Sequence, residues 1–193
     1  MGRSAEQVAI VQSEASTLSA AQARIVAASL QLFAQQGVGG TSLQMIADAV
    51  GVTKAAVYFQ FKTKDEIVLA AAEDELARLQ AVVDAAEAES SPARRREVLL
   101  ARIVDLSVDR RRTVSVILSD PVVLRFFADH PAYRKVVERI TDILIGPATG
   151  ADSHLQTAMF MAAISGAVMH PMVSDFDDDT LRTQLLQLVR RFR

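Results

Sequence analysis

The chain has 193 residues, half of them apolar, so it can bury a sizeable core, and its net charge of -2 lacks the basic surplus that marks most nucleic-acid binders. It has no cysteine, which excludes disulfides and thiolate metal sites and fits a reducing cytoplasm. Ala, Leu, Val, Gln, Glu and Arg dominate without a strand or hairpin signal, and an all-α fold is expected.

Residues 1–17 are polar and lack the basic start and apolar run of a signal peptide, so a mobile arm is expected there. A first helix is expected over 19–36, with Ile25, Ala28, Leu32 and Phe33 on one face and Gly37 ending it. The segment from Thr41 to Lys64, TSLQMIADAVGVTKAAVYFQFKTK, then reads as a helix-turn-helix followed by the start of a long helix. Ala47 is small where the second helix approaches, and Gly51 sits at a turn that demands positive φ. Ile46, Val50, Val52 and Val57 face inward in this reading, leaving Thr53, Lys54, Ala55, Tyr58 and Gln60 outward. Thr41 with Gln44, and Thr63 with Glu66, have capping-box spacing.

The run Val52-Thr53-Lys54-Ala55-Ala56-Val57-Tyr58 and the tail Phe61-Lys62-Thr63-Lys64 resemble the TetR family of bacterial transcription regulators over residues 22–70. That resemblance implies an N-terminal three-helix DNA-binding domain over 18–65 and a helical ligand-binding and dimerisation domain over 66–193. It implies phosphate contacts from Thr41, Thr53, Tyr58 and Lys64, and positions near base edges for Lys54, Ala55 and Gln60. Two departures stand out. Ala55 and Ala56 replace the usual Gly and Thr, exchanging a hydroxyl for methyl groups that suit thymine, and Gln60 replaces a common His and suits adenine. Tyr58 and Phe61 also fit an ordinary small-domain core.

Beyond the head, a long helix is expected from Thr63 to about Ala88, broken by Ser90-Ser91-Pro92. Further helices are expected over 92–111, 113–129, 131–146, 152–170 and 178–191, with Asp120-Pro121 and His170-Pro171 bending or breaking theirs. Asp177, Asp178 and Asp179 at the start of the last helix, and Arg190, Arg191 and Arg193 at its end, match the macrodipole. The apolar tract Ala158 to Val173 is too interrupted to span a bilayer and reads as a buried helix; no membrane association is expected.

Helix 152–170 carries Ala158, Ala162, Ala163, Ser165, Gly166 and Ala167, and helix 178–191 carries Leu181, Leu185, Leu188 and Val189. The resemblance implies that these two helices form the homodimer interface. It also implies an apolar effector pocket, for which Leu106, Ile117, Phe126, Phe127, Tyr133, Met159 and Met169 are the candidates, with Val114, Leu118 and Leu124 beside them. Arg110, Arg111 and Arg112 read either as a seat for an anionic ligand head or as a solvated face.

Over residues 1–65, Arg3, Arg24, Lys54, Lys62 and Lys64 oppose Glu6, Glu14, Asp48 and Asp65, a surplus of one. Binding to double-stranded DNA is therefore expected to be salt-sensitive and to need two heads on a palindromic operator. His130, His154 and His170 lack metal-ligand spacing, and no phosphate loop or nucleophile elbow occurs, so neither catalysis, metal nor cofactor is expected. The expectation is a cytoplasmic, ligand-responsive repressor; the alternative is a helical interaction module that has lost DNA binding.

Overall fold

The computed structural model describes residues 18–146 and 151–191, and it is helical throughout. Ten α-helices occur among the described residues: α1 (Ala20–Gly40), α2 (Leu43–Val50), α3 (Lys54–Gln60), α4 (Lys64–Glu87), α5 (Pro92–Asp109), α6 (Arg111–Ser119), α7 (Pro121–Asp129), α8 (Pro131–Leu144), α9 (Ala151–Met169) and α10 (Asp178–Val189). A 3-10 turn, Pro171–Val173, follows α9. The expected arm over 1–17 lies outside the described residues, as do Phe192 and Arg193.

The chain divides into two compact units, Met1–Arg78 with Ser115–Phe126, and Leu79–Val114 with Phe127–Arg193. In the first, α1 packs on α2 and α2 on α3. Ile25, Val26, Leu30 and Phe33 of α1 are buried, as are Ile46, Ala47, Val57 and Phe61. In the second, α5 is central and packs against α8, α9 and α10, burying Leu99, Leu100, Ile103 and Val104.

Caps mark most helix starts. Ser19 and Gln22 form a complete capping box, and Ser91 caps α5 just ahead of Pro92. At α2 the cap is one residue later than the sequence implied. Ser42 accepts from the Met45 amide, while Thr41 is buried and its hydroxyl donates to the Gly37 carbonyl at 2.9 Å. Thr63 accepts from the Glu66 amide as expected, but the Glu66 carboxylate takes the Lys62 amide instead of closing the box. Asp120 and Pro121 break the expected 113–129 helix into α6 and α7, the Asp120 carboxylate accepting from the Val122 amide.

Several body expectations change. Asp177 caps α10 through the Thr180 amide, which holds its carboxyl below the ordinary range, but the helix ends at Val189 and Arg190 lies beyond it, beside Glu97. His170 is exposed, and its Nδ1 accepts from the Met172 amide and caps the 3-10 turn. The tract expected as a buried helix is buried on one side only: Phe160, Ile164 and Val168 face inward, and Met159, Ala162, Ala163 and Gly166 are exposed. Among the described residues no helix is long and apolar enough to cross a membrane.

Candidate nucleic-acid interface

The local chain dictates how α2 and α3 meet. Gly51 adopts φ 77 and ψ 37, the left-handed conformation that a side chain strains, and its amide closes α2 onto the carbonyls of Ala47 and Asp48. Thr53 then starts α3 by accepting the Ala56 amide at 3.2 Å. With Ile46, Ala47 and Val57 fully buried, the opposite side of α3 must face out.

That outer side carries Thr53, Lys54, Ala55, Ala56, Tyr58 and Phe59, all exposed, with Gln60 half-buried at the helix end. Thr53 uses an oxygen lone pair for its cap and keeps its hydroxyl proton for an external acceptor. Phe59, 78% exposed, was not among the residues singled out from the sequence. It lies four residues after Ala55 and so shares its face, a helical spacing that would have found it. Phe61 is buried and belongs to the core.

Two expected phosphate contacts sit differently. Thr41 is 2% exposed, and its hydroxyl donates to Gly37 O and accepts from Gln36 Nε2. Lys64 is half-buried, and its ammonium donates to the carbonyls of Val38, Gly39 and Thr41. These groups fix the junction of α1, α2 and α4, and Arg24 reaches the Val50 carbonyl at 3.3 Å.

The expected effector residues fall in both units. Ile117, buried, and Phe126, half-buried, belong to the first. In the second, Leu106 and Met169 are half-buried, and Phe127 stacks on Tyr133 with ring centres 4.7 Å apart. Burial pushes the Tyr133 hydroxyl above its ordinary pKa. Met159 is 59% exposed, on the outer stripe of α9 instead of its buried side. Arg111 pairs with Asp178 at 3.1 Å, so the basic run is partly internal. Among the described residues no group of three His, Asp or Glu could hold a metal ion.

An exposed helix seated by a left-handed glycine turn on a small helical core defines a helix-turn-helix module. Residues 25–71 match the sequence model described as bacterial regulatory proteins, tetR family. Over those residues the head is similar to the DNA-binding module of that family.

Over 43 residues, 22% of the chain and 20% of the relative, it is 51% identical to the HTH-type transcriptional regulator AcrR of Shigella flexneri. Over 50 residues, 26% of the chain and 17% of the relative, it is 42% identical to YerO of Bacillus subtilis, an uncharacterized HTH-type transcriptional regulator. The match thus spans about a fifth of these curated relatives. The full fold is shared more widely. A transcriptional regulator (TerR/AcrR family) from Aquifex aeolicus superposes with a TM-score of 0.71 at 16% identity, covering 90% of this chain and 99% of that one. AibR, in complex with isovaleryl coenzyme A and operator DNA, superposes at 0.66 and 16% identity, covering 87% and 97%.

Proposed function

We propose that the protein is a homodimeric transcription regulator that binds a palindromic operator through α3 and is released from it by a small apolar effector. The observation that carries this is the outer side of α3, where Thr53, Lys54, Ala55, Tyr58 and Gln60 stand over a fully buried Val57. Hydroxyl and ammonium groups suit phosphates, while Ala55, Phe59 and Gln60 suit base edges, methyl against thymine and amide against adenine. A head this weakly charged gains useful affinity from a second copy on the same duplex.

The second copy is expected to pair through α9 and α10. Leu155, Met159, Ala162, Ala163 and Gly166 form an exposed stripe at helical spacing on α9, and Leu188 is 56% exposed on α10. Small residues let helices of two subunits approach closely, and the longer side chains supply area. Met159 belongs to this stripe in our reading. Leu106, Ile117, Phe126, Phe127, Tyr133 and Met169 remain the proposed effector residues. We assign 18–65 to DNA binding and 66–193 to effector binding and dimerisation. AibR, which shares this fold and is in complex with isovaleryl coenzyme A and operator DNA, supports a reading in which one chain takes both an effector and DNA. If effector favours one subunit arrangement and operator another, each weakens the other by linkage.

A mobility-shift titration of three variants tests the head. Tyr58→Phe removes a phosphate donor and Lys64→Ala loosens the head, so both weaken binding to every sequence; Gln60→Ala alters which sequence is preferred. Unchanged binding in all three sinks the assignment. Leu155→Asp should turn a dimer into a monomer by light scattering, and an unchanged mass would contradict the proposed interface.

A further inference from the structure

The two lysines flanking Thr63 have different surroundings. The Lys64 ammonium donates to Val38 O at 2.5 Å, Thr41 O at 2.7 Å and Gly39 O at 3.3 Å. Three N–H groups meet three carbonyls, and none remains for another acceptor. Lys62 is exposed, and its ammonium donates to a single carbonyl, that of Tyr58, at 2.8 Å. It also lies 4.6 Å from the centre of the Tyr58 ring.

That carbonyl belongs to the last turn of α3, where the helix leaves acceptors unpaired and its dipole favours a cation. Among the described residues, two of the Lys62 N–H groups are left without an acceptor. No described carboxylate takes them: Glu66, one turn on, accepts from the Lys62 backbone amide at 2.7 Å instead. The result is an unneutralised, partly immobilised ammonium beside the exposed face of α3. A side chain already held in place loses less freedom on binding than one that must be ordered.

We infer that Lys62 neutralises a DNA phosphate beside the recognition helix, its ammonium held by the ring and carbonyl of Tyr58, and that Lys64 is a positioning residue acting through the shape of the head. This rests on the DNA-binding reading above. The two lysines therefore differ in what their removal does. Loss of Lys62 changes the ionic part of binding and leaves folding alone; loss of Lys64 changes folding.

The experiment uses the full chain and a duplex that the wild-type protein has selected from a random pool. Affinity is measured against salt, and thermal melting of the free protein is measured alongside. Each neutralised phosphate contributes about 0.9 to the slope of log affinity against log salt, so Lys62→Ala in a two-headed complex lowers the slope by about 1.8. Between about 50 and 200 mM salt, that makes the loss of affinity about twelvefold smaller than in the wild type. Lys62→Arg should retain the slope, and Lys62→Ala should melt like the wild type while Lys64→Ala melts earlier. An unchanged slope for Lys62→Ala on a duplex the wild type binds overturns the inference and leaves the DNA-binding reading standing. Melting lowered as much by Lys62→Ala as by Lys64→Ala overturns it too, because the side chain would then be structural. A wild-type protein that selects no duplex overturns both readings.

Discussion

The head and the body hold their charged groups in different ways. In the head, Lys64 and Arg24 donate to main-chain carbonyls, Lys64 to three and Arg24 to that of Val50. In the body, Arg96 also donates to a carbonyl, that of Leu144, but two other cations join helices by meeting carboxylates. Arg139 of α8 bridges Asp84 and Glu87 of α4, and Arg182 of α10 meets Asp105 and Asp109 of α5. A carbonyl is present whatever the sequence, so a head staple depends on the identity of one residue. A body clamp depends on two residues far apart in the chain, and water competes for both. The head should therefore respond sharply to single changes and the body weakly.

The largest effect is expected where the head has no slack. Ile46 is fully buried, and Ile46→Ala should cost about 2–5 kcal/mol in denaturant unfolding. A cost near zero would mean that α2 does not hold the head together. Next comes Lys64→Ala, which removes charged donors from three carbonyls; about 1.5–3 kcal/mol is expected for such a bond. Arg139→Met tests the body clamp. Its partners are largely exposed, so the loss should stay below about 1 kcal/mol, and a loss larger than that of Lys64→Ala would reverse the contrast.

The smallest effect is one of pH. The Arg139 hydrogen bond holds the Glu87 carboxyl below its ordinary pKa, so its stabilisation is present at neutral pH and fades as pH falls through the depressed value. Glu87→Gln should be slightly less stable than the wild type at pH 7 and equal to it in acid. Asp105 has the opposite sign: burial raises its pKa despite Arg182, so its ionised form is disfavoured by folding and Asp105→Asn should not lower stability at neutral pH. A large loss in Asp105→Asn would show that its bond to Arg182 outweighs the burial.

The same contrast explains what could be read in advance. Gly51, Ala47 and Val57 answer to steric demands within a few residues, and their turn and burial follow from the sequence. The break at Asp120-Pro121 was legible for the same local reason. Thr41 and Lys64 were not, because their partners are carbonyls whose direction depends on the positive φ of Gly37 and the path that follows it. Phe59 was hidden by its type, since an aromatic among apolar neighbours reads as core, although its spacing from the outward Ala55 puts it on the exposed side. On α9 the apolar and small residues run around the whole helix, so periodicity gave no hint that Phe160 faces in and Met159 out.

The central claim is that the outer side of α3 reads duplex DNA as one of two heads. Selection of bound duplexes from a random pool by the purified full chain, followed by titration of the enriched duplex at two salt concentrations, tests it most directly. The account predicts a palindrome bound by two copies, with half-sites about 10 base pairs apart or a multiple of that, and affinity that falls steeply with salt. Failure to enrich any duplex at either salt concentration would contradict it and favour a helical module whose exposed α3 meets another protein.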